Sequence, residues 1–146
     1  MSVVIPTIFN GNLFVDDRGA LTVANGFDFR DVKRFYMVEN HERGFIRAWH
    51  GHEKEGKYVF VVSGAIKIAL MPLNSNDVKD MQWFVLSDKK PMIFGIPPGC
   101  YNGFMTLQEN TKVMFFSTST LEESNGDDIR KEYDHFGEDV WKITRR

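Results

Sequence analysis

A chain of 146 residues with a formal net charge of -2 is long enough for one domain that buries roughly two-thirds of the surface its unfolded form exposes. So balanced a charge has no field for gripping a polyanion, which argues against nucleic acid as a partner but leaves room for small phosphorylated ligands held by two or three Arg or Lys residues. Cys100 is the only cysteine and follows a Pro-Gly turn, so it reads as a small structural residue in a reducing compartment. No apolar run reaches membrane-spanning length and the first residues carry no leader pattern, so a soluble cytoplasmic protein is expected.

Thirteen Phe, five Pro and few long runs of helix formers favour an all-β reading of the whole chain as a single domain. In chain order the expected strands are 13–15, 21–23, 34–39, 45–52, 57–63, 65–71, 82–86, 92–96, 103–107 and 112–118. The turns between them have mechanisms. Asp16-Asp17-Arg18-Gly19, Ser63-Gly64 and Pro97-Pro98-Gly99 combine Gly, which takes positive φ, with Pro and Asp, which fix or hydrogen-bond the local backbone. So many closely spaced strands predict a sandwich or closed barrel, spanning about residues 11–120. The run 57–62, apolar on both faces, is expected at the middle of two layers, away from water. Residues 121–146 are more charged. One short helix is expected over 121–125, and Phe136, Val140, Trp141 and Ile143 predict that this tail folds back onto the barrel.

The segment from Gly44 to Gly64 carries the most chemistry. Side chains alternate across a strand, so His50 and His52 share a face, expected to be that of Ile46 and Ala48, and look into a cavity. By the same alternation Arg47 reaches that cavity only through a bulge or bend. Two imidazoles beside the Lys57 ammonium in a dry pocket suit proton abstraction next to a carbonyl: imidazole titrates near neutrality, and the cation steadies the enolate. Arg18 and Arg47 are candidates for phosphate oxygens, because a planar guanidinium binds two at once. The tyrosines at 36, 58, 101 and 133 include possible acids.

The spacing of Gly44, His50, His52 and Gly64 resembles the first cupin motif, and Pro97-Pro98-Gly99-Cys100-Tyr101-Asn102 resembles the second. This implies an all-β cupin, a jelly-roll barrel or double-stranded β-helix. In metal-binding cupins a Glu and a third His complete the ligand set. Here Lys57 and Asn102 stand at those positions, an ammonium repels a divalent cation, and no metal or other cofactor is expected.

Beyond the cupin motifs, the chain resembles the dTDP-4-dehydrorhamnose 3,5-epimerases and the related sugar-nucleotide 3,4-ketoisomerases from about Gly11 to about Trp141. Asp16-Asp17-Arg18-Gly19, Arg47-Ala48-Trp49-His50, Gly56-Lys57-Tyr58-Val59 and Ile96 to Phe104 carry the epimerase likeness. Lys33-Arg34-Phe35-Tyr36 with Arg47 to His52 carries the ketoisomerase likeness. The resemblance implies a nucleoside-diphosphate 4-keto-6-deoxy sugar as partner, metal-independent epimerisation at C3 or C5, and a place in deoxysugar or surface-polysaccharide biosynthesis. It implies His50 as base, oriented by Asp134 with a one-residue shift, Lys57 at the enolate and Tyr36 or Tyr101 as acid. Arg18 and Arg47 would hold the diphosphate, with His52, Tyr101 and Asn102 against the ligand. Phe115 stands where the epimerases have their catalytic Tyr, Asn102 where they have a His, and Val23 where they have a Glu. The alternatives are 3,4-ketoisomerisation and a non-catalytic sugar-nucleotide-binding cupin. A homodimer is expected, with residues 2–9 lying across the partner.

Overall fold

The computed structural model of the chain describes residues 3–146, so Ser2 lies outside them. The strands, in chain order, are β1 Thr7–Asn10, β2 Asn12–Asp16, β3 Gly19–Val23, β4 Arg34–Glu39, β5 Ile46–His52, β6 Lys57–Ser63, β7 Ala65–Pro72, β8 Gln82–Ser87, β9 Met92–Ile96, β10 Cys100–Thr106, β11 Lys112–Ser117 and β12 Ile129–Arg130. A short helix, α1, spans Leu121–Asn125. Two five-stranded sheets, ordered β1-β9-β6-β11-β4 and β12-β5-β10-β7-β8, face each other, and β2-β3 forms a separate hairpin. The paired strands are antiparallel, the all-β cupin architecture that the motifs imply.

Alternation builds the interior. Val59, Val61, Ile66, Ile68, Leu70, Phe94, Val113 and Phe115 point inward from both sheets and form the main core. Each such side chain, fully buried, contributes about 1.5–3 kcal/mol relative to exposure. The Ser63-Gly64 turn folds β6 back onto β7. Gly64 has φ +87, and a Cβ there would strike Thr111, so no larger residue fits this turn.

Two strands lie outside the expected set. β1 pairs with β9, and β12 pairs with β5; both are short and lack strong alternation. β10 begins three residues earlier than the spacing predicts, directly after Gly99, because Cys100 already pairs with both His52 and Pro72. The run 57–62 is central in its sheet, but only its inward side is sealed. Tyr58 and Phe60 are half-buried and Val62 is exposed.

The tail folds back as expected. Phe136, Val140 and Trp141 pack on the outer side of the second sheet against Trp49, Ala69, Met71, Tyr101 and Met105. Trp49 stacks on Trp141 with ring centroids 5.1 Å apart, and Trp49 and Lys131 exchange backbone hydrogen bonds of 2.9 and 3.1 Å. Ile143 remains exposed. Before the tail, α1 starts at a capping box: Thr120 Oγ1 accepts from the Glu123 N–H and the Glu123 carboxylate accepts from the Thr120 N–H. The Thr120 N–H and the Lys33 ammonium hold the Glu123 carboxyl down at about 2.

Candidate active site

At one end of the barrel the apolar filling gives way to a cavity of about 340 Å³, walled by side chains from β4, β5, β6, β10 and β11 and rimmed by α1 and β12. His50, His52, Lys57, Tyr36, Arg47 and Asn102 all line it, so most of the residues singled out in the sequence meet there. A larger groove of about 550 Å³ runs between Arg43, Met105 and Arg145, with neither imidazole nor carboxylate along it.

A register shift explains how Arg47 gets in. On β10, Asn102 faces His50 and Phe104 faces Arg47, so two steps on one strand oppose three on the other. This bulge in β5 puts Arg47 on the cavity side together with His50. It also corrects the expected face: Ile46 and Ala48 pack in the outer cluster with Trp49, not beside the imidazoles. Arg47 Nε donates to Asn40 Oδ1 at 2.5 Å, and Asn40 Nδ2 donates to Thr106 Oγ1 at 2.7 Å.

His50 stands with its side chain 37 % exposed at the cavity, Nδ1 lying 4.0 Å from Asp128 Oδ1. Its pKa is lowered, first by burial and then by the nearby Lys57 and Arg130 cations, against a smaller upward pull from Asp128. The ring is therefore an unprotonated base at neutral pH. Arg130 Nε binds the other Asp128 oxygen at 2.8 Å, and because Arg130 pairs with His50 across β12 and β5, the strand sets this arrangement.

His52 is more deeply buried. Its Nδ1 donates to the Asp127 carbonyl at 2.5 Å, so in the neutral ring Nε2 carries the free lone pair, and that atom has no hydrogen-bond partner. The Asp127 carboxylate accepts from the N–H groups of Glu53, Lys54 and Glu55 at 2.8, 3.0 and 2.9 Å. Burial works to raise its pKa, but these three donors prevail and lower it. Asn102 Nδ2 donates to the His50 carbonyl at 3.3 Å.

Tyr36 comes from β4, where it is in register with Phe115 of β11. The two rings stack with centroids 5.1 Å apart, and Arg34 and Lys57 lie over the Tyr36 ring at 5.1 and 5.8 Å. The hydroxyl that position 115 lacks thus has a counterpart on the neighbouring strand.

Three expected residues are elsewhere. Tyr101 points outward into the Trp49 cluster, because alternation on β10 turns Cys100 and Asn102 inward and the residue between them away. Asp134 is exposed and does not line the cavity; Asp128 is the carboxylate beside His50, since β12 brings residues 127–130 to the edge of β5. Arg18 sits at the tip of the exposed hairpin, paired with Asp16 at 2.6 Å. Sequence reasoning missed Asp128, Arg130 and Glu55, and left Arg34 without a role. The only local signal was the acidic pair Asp127-Asp128 after Gly126. Cys100 is buried, its thiol pushed up to about 12 by burial, in keeping with a structural role.

Whether the cavity suits a metal is a question of donors. Lys57 Nζ is 4.0 Å from Glu55, and among the described residues no three His, Cys, Asp or Glu side chains are placed to hold an ion. No step is assigned to one.

A cupin barrel whose mouth gathers an unprotonated imidazole, a second buried imidazole, a tyrosine and several cations belongs to the class equipped for acid–base chemistry on an anionic ligand. The sequence matches the family model described as dTDP-4-dehydrorhamnose 3,5-epimerase over residues 7–141, and the chain belongs to that family of isomerases. Among functionally curated proteins no relative matches. Similar solved structures include the dTDP-4-dehydrorhamnose 3,5-epimerase of Bacillus anthracis with TDP and pyrophosphate bound, at 21% identity and TM-score 0.71, covering 88% of this chain and 79% of that one. The sugar 3,4-ketoisomerase QdtA of Thermoanaerobacterium thermosaccharolyticum in complex with TDP is similar at 20% identity and TM-score 0.68, covering 90% of each chain. The 3'-monoepimerase ChmJ of Streptomyces bikiniensis with dTDP-quinovose is similar at 17% identity and TM-score 0.71, covering 89% and 71%.

Proposed function

We propose that this isomerase acts on a dTDP-linked 4-keto-6-deoxy sugar, inverting C3, C5 or both by enolisation, within deoxysugar or surface-polysaccharide biosynthesis in the cytoplasm. The observation that carries the reading is His50, an imidazole with a lowered pKa facing a cavity that also holds Lys57. His50 removes the proton from the carbon beside the ketone, and that electron pair moves into the ring C–C bond as the carbonyl oxygen takes the negative charge. Lys57, with Arg34 beside it, steadies that oxygen. Tyr36, on the facing strand, returns a proton to the opposite side of the carbon, and the ketone reforms with inverted configuration. Asp128 balances the imidazolium that forms on His50. Arg47 meets the diphosphate, and His52 Nε2 accepts from a sugar hydroxyl.

A second reading, 3,4-keto transfer, is supported by the second imidazole on the same wall and by Tyr36 standing in for Phe115. Incubation with dTDP-4-keto-6-deoxyglucose in deuterium oxide separates the two. Deuterium entering C3 or C5, and lost in His50→Ala, is expected for epimerisation; a 3-keto product means keto transfer. No exchange with either outcome removes both readings and leaves a sugar-nucleotide-binding cupin.

The proposal includes a homodimer. Leu13, Phe14, Val15 and Leu21 of the β2-β3 hairpin and Phe35 and Met37 of β4 are exposed, and a lone two-stranded ribbon is marginal in water. Of the N-terminal segment, β1 already pairs with β9 of its own chain, leaving Val3 and Ile5 exposed. The hairpin is therefore the better candidate to lie across a second copy, and it would carry Arg18 with it. Sedimentation at a monomer mass would refute the dimer. Among the described residues no helix is long and apolar enough to cross a membrane.

A further inference from the structure

Beneath the cavity lies a carboxylate that the mechanism does not use. Glu55 sits in the loop between β5 and β6, whose backbone N–H groups are caught by Asp127, and its side chain has no exposed surface. Its Oε2 accepts from Ser117 Oγ at 2.8 Å and lies 3.7 Å from Arg34 Nη2 and 4.0 Å from Lys57 Nζ. Its Oε1 lies 3.8 Å from His52 Nδ1 and has no hydrogen-bond partner. A buried carboxylate is costly unless cations and donors meet it, and here two cations and a hydroxyl converge on one oxygen.

Arg34 and Lys57 are long, flexible and alike in charge. Left to themselves they repel each other and turn to water, where an ammonium or guanidinium is best solvated. The single negative charge between them removes both tendencies. It also stands in the short loop just before Lys57, the first residue of β6 and two residues downstream, so the β5–β6 connection delivers the cation and its anchor together.

We infer that Glu55 is a positioning residue: it holds the Lys57 ammonium and the Arg34 guanidinium against the cavity wall, so that both meet the sugar oxygen at fixed places as it becomes an enolate. This rests on the enolisation reading, and it gives the buried carboxylate a role in the chemical step beyond folding.

The test combines Glu55→Gln, which keeps the shape and the acceptor for Ser117 but removes the charge, with Lys57→Met in a double-mutant cycle. Deuterium exchange into the 4-keto sugar is the readout, with thermal denaturation run alongside. Glu55→Gln is expected to lower kcat about 10- to 100-fold, as misplacement of a group by an ångström does. KM should stay within about twofold, because the interaction lost is one made in the transition state. In the Lys57→Met background the further loss should be clearly smaller than in the wild type, since only Arg34 is then left for Glu55 to hold. Equal losses in both backgrounds, or an unchanged kcat, overturn the inference. Should Glu55→Gln not fold, Ser117→Ala carries the same cycle, because it removes only the hydroxyl that steadies Oε2. It is expected to lower kcat about threefold in the wild-type background and by less in Lys57→Met. A wild type without any exchange defeats the enolisation reading alone. Crystal structures then decide this point separately: Lys57 Nζ displaced from the cavity in Glu55→Gln is expected, and Lys57 in the same place in both proteins overturns it.

Discussion

On the inward side of β5 and β10 stand Arg47, His50, His52, Asn102 and Phe104; on the outward side of the same strands stand Trp49, Tyr101 and Met105. The inward side chains line the cavity, and among them the buried His52 Nε2 has no partner inside the protein. The outward ones are covered by Phe136, Val140 and Trp141 of the tail, and even the Trp49 Nε1 finds the Tyr133 carbonyl at 3.2 Å. One backbone thus carries cavity-lining side chains on one face and a packed aromatic cluster on the other. Polar side chains gather where a ligand can meet them, and aromatic packing gathers on the covered face, although the Trp141 Nε1 is buried there without a partner.

That division is broken most sharply by His50→Ala. Removing a general base costs typically 10²–10⁴-fold, so solvent exchange into the keto sugar should fall by about that factor while the melting temperature hardly moves. The proposed role of His50 also predicts a pH limb. Because burial and nearby cations lower the His50 pKa, the active free base is present at neutral pH and is lost only as pH falls through a value below the ordinary 6.5. The rate should then drop about tenfold per pH unit, and a limb centred above 6.5 would deny His50 this role.

The outward face answers to a different measurement. Trp141→Ala should cost about 3–5 kcal/mol in urea unfolding, through the loss of its stacking on Trp49 and the cavity left behind. Whatever protein remains folded should keep most of its exchange rate per active site. A smaller paired comparison sharpens the boundary. Tyr36→Phe removes the hydroxyl in the cavity and should slow turnover by about 10²-fold, whereas Tyr101→Phe, altering a ring packed against Phe136, should change it less than about twofold. Smallest of all is the choice of carboxylate: Asp128→Asn should lower kcat about tenfold through His50, while Asp134→Asn, exposed and away from the cavity, should leave it unchanged. Equal effects from the two Asp variants would mean that the pairing seen at His50 is not the one used.

Much of the site was legible because its information is local. Period-two alternation and turn chemistry placed β4, β6 and β9 at their observed boundaries, and the spacing around His50, His52 and Lys57 brought those three to one face. The need for a bulge at Arg47 was legible too, as a parity conflict. The failures share one cause. Tyr101 was assigned to the ligand through its neighbours in the motif, but alternation on β10 turns it away. Asp134 is what the family resemblance implies, with a one-residue shift, whereas which acid lies beside His50 depends on the two-residue strand β12 adding to the edge of β5.

The sequence by itself determined an antiparallel barrel, an imidazole pair beside a lysine where other cupins place a carboxylate, and a tail with enough aromatic surface to return to the body. These follow from backbone periodicity and side-chain chemistry, which act over a few residues. Only the tertiary structure decided that the bulge puts Arg47 on the cavity side with His50, that Tyr36 faces Phe115, that Asp128 lies beside His50 and that Glu55 lies between two cations. Those pairings join residues far apart in the chain, and their energies exist only once the two sheets have closed and excluded water from between them.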